Sequence, residues 1–447
     1  MNGSHILIKK SHPLTGTINV HGAKNAVLVI MTSLILTEGI STLTNVPNNA
    51  DVRLMIALLQ ELGVHIDFDA YHKILRVDTS SMHSCEVKPE TMNKIRASIL
   101  VMGPLLARFG RAKVAMPGGD LIGLRPINYH LDGFKKMGVV VEKQEPFVTA
   151  SLPVLHGRLL HTRIVLEYPS VGATENLLMF ACLGQRETYI INAALEPEVF
   201  DLIDILQKMG ASIEMLPGAT IFIKGVQTLQ PVTHAIIPDR LEAGTLLTAA
   251  AITGGSLTIP NARADHLDIF LEKLREMGHE VITALDDPEN PSLLGVTLNA
   301  TCYPQAISIK TAPYPGFPTD LQPLITAALC LAAGTSVVDE TVYENRMIHT
   351  KELNKMGAKI TVAGTKAVIH GVDQLYGTHV IATDIRTSCA LVLAGLAACG
   401  QTTMTGLHHW KRGYDNLEEK LRLLGGQIEI YQNLSEQESQ PPAQTPL

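Results

Sequence analysis

The sequence predicts an α/β protein of two similar domains, each built from three copies of one helix-and-strand unit. Three observations lead to this fold class. A Leu-Gly or Met-Gly pair that closes an amphipathic stretch recurs six times, and a wholly apolar stretch recurs in step with it. The third observation is that 46% of the 447 residues are hydrophobic, which is enough for a large buried core.

The Leu-Gly and Met-Gly pairs mark the ends of six surface helices. Apolar residues precede them at i, i+3, i+4 and i+7, as in 54–62 and 270–277, which is typical of a helix with one buried face. A glycine suits the left-handed residue after a helix, and the β-type run that follows each pair predicts a strand. The six pairs are Leu62-Gly63, Met137-Gly138, Met209-Gly210, Met277-Gly278, Met356-Gly357 and Leu424-Gly425.

The second set of segments is apolar on every side, which predicts buried helices too short to span a bilayer. These segments are 26–36, 97–107, 177–183, 246–252, 321–333 and 390–398. A short strand follows each one, so the unit is predicted to be buried helix, strand, surface helix, strand. The glycines of successive units lie 68 to 79 residues apart, which is longer than the usual ~20–50 residues of a solenoid repeat. We therefore group the six units three and three, with the break near 225–233.

The net charge, the cysteine pattern and the composition of the two ends of the sequence exclude several classes of protein. The formal charge of −7 argues against a nucleic-acid partner or an anionic membrane surface, which need a basic excess. The six cysteines form no CxxC pair, the N-terminus has no apolar signal core, and no segment has the length of a membrane span, so we expect a soluble cytoplasmic protein. The histidines show no metal-ligand spacing, so no metal is assigned. Residues 433–447 are rich in Gln, Pro, Ser and Glu and are predicted to be disordered.

Polar residues stand at the front of the apolar segments. The N-terminus of a buried helix carries a partial positive charge, so a cation there opposes the helix dipole and needs another reason to be present. A multiply charged anion bound between the domains would be such a reason, and ordinary solvent-facing charges are the alternative. The residues concerned are Lys24, Asn25, Arg96, Thr174, Glu175, Glu242, Asp320, Asp384 and Arg386.

A glycine-rich loop spans residues 117–126. Its glycines permit close approach of the backbone to a ligand, and Asp120 and Arg125 belong to the same loop. An aspartate that merely forms a turn is the alternative interpretation.

These segments together resemble the UDP-N-acetylglucosamine 1-carboxyvinyltransferases, a family of enolpyruvyl transferases, from Ile6 to about Ile430. The residues that carry the resemblance are 22–26, 96–98, 117–119, 123–126, 170–174, 317–320, 344–346 and 412–414. The resemblance implies an inverse α/β barrel in two domains, each made of three βαβαββ-type units. It also implies that residues 23–230 form domain one and that residues 1–22 plus 231–432 form domain two.

The implied activity is transfer of the enolpyruvyl group of phosphoenolpyruvate to the 3′-hydroxyl of UDP-N-acetylglucosamine, with release of phosphate. This is the first committed step of peptidoglycan synthesis and proceeds by addition and elimination without a cofactor. The implied partners are the two small-molecule substrates. The alternatives are a shikimate 3-phosphate enolpyruvyl transferase, a non-catalytic regulator that binds the nucleotide sugar, and an enzyme of RNA ends, which the negative charge disfavours.

The resemblance also assigns roles to residues. Lys24, Arg125 and Arg412 are expected to bind phosphate, and Arg346, Arg386 and Arg412 the carboxylate of phosphoenolpyruvate. Asp320 is expected to be the base, and Asp120 takes the position of the acid, where most members carry a cysteine.

The remaining expected contacts bind the nucleotide sugar or lie beside it. They are Asn25, Arg96, Arg125, Pro126, Ile127, Asn128, Tyr129, His130, Tyr168, Ser170, Val171, Gly172, Asp320, Val342 and Asp384. Tyr168 stands where the family commonly has a lysine near the uridine.

Overall fold

The computed structural model describes residues 4–92, 94–118, 122–123, 126–153, 160–184, 186–283 and 295–432. The predicted tail at 433–447 lies outside the described residues. Within them, no helix is both long and apolar enough to cross a membrane.

Six buried helices, called here the inner helices, supply a large part of two hydrophobic cores, three helices to each. Their apolar residues pack against one another, and the second of them is preceded by a 3-10 helix at Arg96–Val101. The inner helices are Lys24–Ser33, Met102–Phe109, Val171–Ala181, Arg240–Thr253, Gln322–Leu329 and Ile385–Ala397.

Six amphipathic helices, called here the outer helices, each bury one face against the rest of their domain. All six predicted glycines that follow them adopt positive φ angles, from 86° at Gly138 to 104° at Gly210, which confirms the predicted helix ends. The outer helices are Ala50–Glu61, Asn128–Lys136, Pro197–Lys208, Asp268–Glu276, His349–Lys355 and Leu417–Leu423. The other helical segments are Leu34–Leu36, Pro89–Met92, Ala264–His266 and Leu407–Gly413.

Six small sheets complete the six units. In five of them a parallel edge strand, the strand after the inner helix, a return strand and the strand after the outer helix lie side by side. The strands, by sheet, are Thr233–Ala235, Ile40–Thr44, Ile74–Asp78 and His65–Asp69; Arg111–Ala115, Phe147–Ser151 and Val140–Gln144; Leu160–Val165, Arg186–Ile191, Thr220–Lys224 and Ser212–Leu216; Thr15–Thr17, Ser256–Ile259, Val296–Asn299 and Glu280–Thr283; Ser308–Lys310, Thr335–Asp339, Lys366–His370 and Lys359–Ala363; and His379–Ile381, Gln401–Thr405, His5–Lys9 and Gln427–Tyr431.

The unit predicted from spacing alone was therefore too short, whereas the βαβαββ-type unit implied by the resemblance has the four strands and two helices seen in five of the units. The spacing missed the return strand and the parallel edge strand, because neither is followed by the Leu-Gly or Met-Gly marker. Four inner helices also begin earlier than predicted, at Lys24, Val171, Arg240 and Ile385. The polar residues Lys24, Asn25, Thr174, Glu175, Glu242 and Arg386 therefore lie within the first five residues of these helices rather than in front of them.

Two hydrophobic cores lie under the two sets of three units. One contains residues between Ala23 and Ile236, and the other contains Ile6–Val20 together with residues from Leu241 onwards. The fold is thus the predicted two-domain α/β arrangement with three units per domain. The exact domain limits at residues 22/23 and 230/231 stay a prediction.

The chain passes between the two cores twice, and the two crossing segments lie against each other. The backbone N–H of Ala23 donates to the carbonyl of Ile237 at 2.7 Å, and that of Asp239 donates to the carbonyl of His21 at 2.8 Å. One carboxylate also joins the two inner helices that begin there. Asp239 caps Arg240–Thr253 through Oδ1 and accepts the Lys24 backbone N–H through Oδ2 at 3.1 Å. The front ends of these two helices therefore meet where the cores meet.

Candidate functional site

Four cations from both halves of the chain converge between the two cores. They are Lys24, Arg346, Arg386 and Arg412, and each has a side chain less than a fifth exposed. Buried cations that repel one another need carboxylates beside them to offset the repulsion. In this site Asp51 and Asp320 are such carboxylates.

Asp320 holds the pair of arginines from the second half. Its Oδ1 accepts from Arg346 Nη2 at 2.6 Å and its Oδ2 from Arg386 Nη2 at 2.8 Å. Burial alone would raise the pKa of Asp320, but Arg386 and Arg346, with a further contribution from Lys24, hold it well below its ordinary value. Asp320 is therefore ionised, and the charge of Lys24 acts on it directly.

Asp51 holds the other two cations. Its Oδ1 accepts from Arg412 Nε at 2.8 Å, and its Oδ2 lies 3.3 Å from Lys24 Nζ. Sequence reasoning did not single out Asp51, because an acidic residue in the first turn of a surface helix is common for reasons of helix stability alone.

Tyr414 fixes the orientation of Arg386. The guanidinium Nη1 of Arg386 donates to the hydroxyl of Tyr414 at 2.5 Å, and that hydroxyl also lies 2.7 Å from Thr245 Oγ1 and 3.1 Å from the carbonyl of Leu241. Tyr414 belongs to the segment 412–414 singled out in the sequence, but no role was predicted for it.

A second group of the predicted residues surrounds the N-terminus of the inner helix Val171–Ala181. Ser170 caps this helix by accepting from the N–H of Ala173, so Val171 and Gly172 form its first turn. A helix N-terminus of this kind suits a phosphate group. Added at Gly172, a Cβ would lie 3.4 Å from the ring of His130, so the His130 side chain reaches the same end of the helix.

His130 is neutral and its proton can be assigned. Burial first, and then the charge of Arg96, lower the pKa of His130 to about 3. Asn176 Nδ2 lies 3.0 Å from His130 Nδ1, while Asn176 Oδ1 accepts from the N–H of Gly103. Because the amide therefore donates to Nδ1, the ring proton sits on Nε2, and this atom would lie 3.5 Å from a Cβ at Gly172.

The other predicted contacts are more dispersed. Asn25, Pro126 and Asn128 are exposed, Tyr129 is half-buried, and Ile127 is buried in the first core. The guanidinium of Arg96 donates to the carbonyl of Pro117 at 3.4 Å. Asp120 and Arg125 lie outside the described residues.

Tyr168 and Val342 flank a buried glutamate. Glu340 accepts from the N–H of Val342 at 2.9 Å and from the hydroxyls of Thr311 and Thr319 at 2.9 and 3.0 Å, so it orders the loop that carries Val342 and Arg346. Burial raises the pKa of Tyr168 to about 12, with the nearby charges of Glu196 and Glu340 acting in the same direction.

The carboxylate of Asp384 caps the N-terminus of the inner helix Ile385–Ala397. Its Oδ1 accepts from the backbone N–H groups of Arg386 and Thr387 at 2.9 and 3.0 Å. Burial by itself raises its pKa, but Arg346 and the contacts from Thr387 more than offset this, so the pKa is lowered. Asp384 thus orients the helix that bears Arg386.

One group of side chains has the composition of a metal site. Carboxylate and imidazole atoms of Asp201, Asp204 and His234 lie within 4.8 Å of one another. The ammonium of Lys208 lies 2.6 Å from Asp204 Oδ2 and 3.3 Å from His234 Nδ1, where a cation already occupies the side of the group that a metal ion would need. We assign no metal to these residues.

A cluster of carboxylates lies where the two cores meet beside the site. Arg240 donates to both oxygens of Glu198 at 3.0 and 3.1 Å, which leaves Glu175 and Glu196 close to an already paired carboxylate. Burial first, and then the charges of Glu198 and Glu196, raise the pKa of Glu175 well above its ordinary value. Burial therefore favours the neutral form of the Glu175 carboxyl in the folded chain.

The comparisons with known proteins agree with one another. The family model described as EPSP synthase (3-phosphoshikimate 1-carboxyvinyltransferase) matches residues 8–421. The UDP-N-acetylglucosamine 1-carboxyvinyltransferase of Pseudoalteromonas atlantica is 44% identical over 95% of this chain and 99% of its own length. The UDP-N-acetylglucosamine 1-carboxyvinyltransferase 2 of Carboxydothermus hydrogenoformans is 46% identical over 95% of this chain and 98% of its own.

Two solved structures share the fold. The enolpyruvyl transferase NikO from Streptomyces tendae matches with a TM-score of 0.84 at 24% identity, over 96% of this chain and 99% of that one. An EPSP synthase from Acinetobacter baumannii matches with a TM-score of 0.73 at 17% identity, over 96% of this chain and all of that one. At these identities the likeness concerns the fold alone.

The protonated state of Glu175 predicts how stability depends on pH. The unfolded chain releases this proton near pH 4.5, whereas the folded chain releases it only at a higher pH, so the free energy of unfolding falls as pH rises above 4.5. Glu175→Gln keeps the neutral shape and should flatten the decline of the thermal unfolding midpoint above pH 4.5.

The same substitution at the exposed Glu214 is the matched control and should leave the pH dependence of the parent unchanged. Equal slopes for the parent and Glu175→Gln would show that Glu175 is ionised in the folded chain.

Proposed function

We propose, on the premise that this chain belongs to the family of UDP-N-acetylglucosamine 1-carboxyvinyltransferases, that it transfers the enolpyruvyl group of phosphoenolpyruvate to the 3′-hydroxyl of UDP-N-acetylglucosamine. The observation that best supports this reaction is the group of four cations, Lys24, Arg346, Arg386 and Arg412, between the two cores. Phosphoenolpyruvate carries a phosphate and a carboxylate, and such a group of cations suits both.

The reaction needs one proton to arrive and two to leave. The sugar hydroxyl attacks C2 and loses its proton, while C3 gains a proton and becomes a methyl group. The bond between C2 and the phosphate oxygen then breaks as C3 loses a proton, and the proton lost in excess leaves with the phosphate. Lys24 and Arg412 are proposed to bind the phosphate, and Arg346 and Arg386 the carboxylate. Charge that develops on the substrate is then stabilised by groups already in place.

Asp320 is proposed to take the proton of the sugar hydroxyl. In the structure its two ion pairs make it a weak base, because they lower its pKa. The carboxylate of bound phosphoenolpyruvate would share Arg346 and Arg386 with Asp320, and this competition raises the basicity of Asp320 at the moment when a base is required.

The nucleotide sugar is proposed to bind around the N-terminus of Val171–Ala181, where Ser170, Val171, Gly172 and neutral His130 meet. Because the proton of His130 is on Nε2, this atom can donate to a phosphate or a hydroxyl there. A cytoplasmic location is supported by the six cysteines, all of which are thiols in the structure.

The substrate assignment is tested by phosphate release from phosphoenolpyruvate. Release should require UDP-N-acetylglucosamine and should not occur with shikimate 3-phosphate as the acceptor. The reverse preference would establish the shikimate reaction, and tight binding of the nucleotide sugar without any release would establish a non-catalytic binding protein.

Loss of the Asp320 carboxylate should slow the chemical step. Asp320→Ala should lower kcat roughly 10²–10⁴-fold, the usual contribution of general acid–base catalysis, while the dissociation constant of UDP-N-acetylglucosamine changes much less. Stopped assays of phosphate release measure kcat, and calorimetry measures the dissociation constant of UDP-N-acetylglucosamine. A kcat within a few-fold of the parent would remove Asp320 from the role of base.

Asp120, which lies outside the described residues, is proposed to deliver the proton to C3. Since a carboxylate is a far weaker nucleophile than a thiolate toward an epoxide, the parent should resist time-dependent inactivation by fosfomycin while it still turns over. Asp120→Cys should become susceptible, with a fosfomycin adduct visible by mass spectrometry, and Asp120→Asn should lose most activity. Stoichiometric inactivation of the parent, or full activity of Asp120→Asn, would refute the assignment.

A further inference from the structure

Asp51 connects two cations that come from different halves of the chain. It lies in the first turn of the outer helix Ala50–Glu61, and its side chain is only 4% exposed. Lys24 begins an inner helix of the first half, whereas Arg412 belongs to the second half, 361 residues away from Asp51.

We propose that Asp51 is a positioning residue for the transfer reaction, one that sets the distance and orientation of Lys24 and Arg412 toward the phosphate of phosphoenolpyruvate. The inference rests on the proposed function and assigns to it a residue outside the predicted site.

The geometry of the contact supports this role for Arg412. A guanidinium is planar, so a hydrogen bond from Nε to Asp51 Oδ1 at 2.8 Å fixes the plane in which its two terminal nitrogens lie. Its partner Lys24 has a flexible side chain, and the contact of 3.3 Å with Asp51 Oδ2 limits the positions of its ammonium. One carboxylate therefore relates both cations to the same rigid helix.

Asp51 also offsets the repulsion between the two cations. Without Asp51, the ammonium of Lys24 and the guanidinium of Arg412, whose side chains are 11% and 17% exposed, would repel each other in a poorly hydrated site.

A role confined to helix stability is the simpler explanation for Asp51, because an acidic side chain favours the first turn of a helix. Such a role needs only a negative charge near the helix N-terminus. It does not need a carboxylate that reaches two cations of the site at hydrogen-bonding distance, and it predicts no effect that is specific to phosphoenolpyruvate.

Asp51→Asn separates the two explanations. We expect kcat/KM for phosphoenolpyruvate to fall about 10-fold or more, since a displacement of about 1 Å in a reacting group costs up to roughly 100-fold. The dissociation constant of UDP-N-acetylglucosamine should stay within about threefold of the parent and the unfolding midpoint within a few degrees. A kcat/KM within about threefold of the parent, or a parallel loss of nucleotide-sugar binding and stability, would overturn the proposal.

Asp51→Glu is the second variant, for the case in which the asparagine variant does not fold. It keeps the charge at the helix N-terminus but moves the carboxylate by one methylene group, so it should fold and still have a lowered kcat/KM for phosphoenolpyruvate. Full activity of Asp51→Glu would show that charge alone matters and would refute positioning.

The matched control is Asp67→Asn. Asp67 forms an exposed ion pair with Arg76 at 3.3 Å in the sheet beside the same helix, and its loss should change none of the three quantities. If the parent released no phosphate at all, the proposed function would fail. Calorimetric binding of phosphoenolpyruvate to the parent and to Asp51→Asn would then decide the inference, with equal affinities refuting it.

Discussion

The cations of a polyanion site repel one another while the site is empty, so the fold must hold them in place before the polyanion binds. The structure meets this constraint with two carboxylates, each of which joins two cations. Asp320 joins Arg346 and Arg386, and Asp51 joins Lys24 and Arg412. Because the second pair spans both halves of the chain, the electrostatic organisation of the site also contributes to holding the halves together.

Much of the fold was predictable, because it depends on a local signal that occurs six times. A glycine after an amphipathic helix and an apolar segment before each strand are properties of short stretches of sequence. The return strands and edge strands carry no such marker. The strand His5–Lys9 is the clearest case, since its partners Gln401–Thr405 and Gln427–Tyr431 are almost the whole chain away.

The site was less predictable, for a physical reason. Lys24 and Arg386 were found because they stand at helix entrances, where the helix dipole makes a positive side chain unfavourable, whereas Arg346 and Arg412 were found only through the family resemblance. Their partners were missed, because Asp51, Tyr414 and Glu340 are ordinary residues for the places in sequence where they occur. Their importance lies in contacts across the molecule, which a pattern of spacing does not contain.

The strand order in the sheet that contains His5–Lys9 affects the order in which the two halves of the protein can fold during synthesis. The residues of the first core are nearly continuous along the chain, from Ala23 to Ile236, so that half can fold while the rest is still being synthesised. The second half cannot, because its strand His5–Lys9 lies between two strands made some four hundred residues later. Until the ribosome delivers those strands, His5–Lys9 has both edges unpaired and is open to pairing with a strand of another chain.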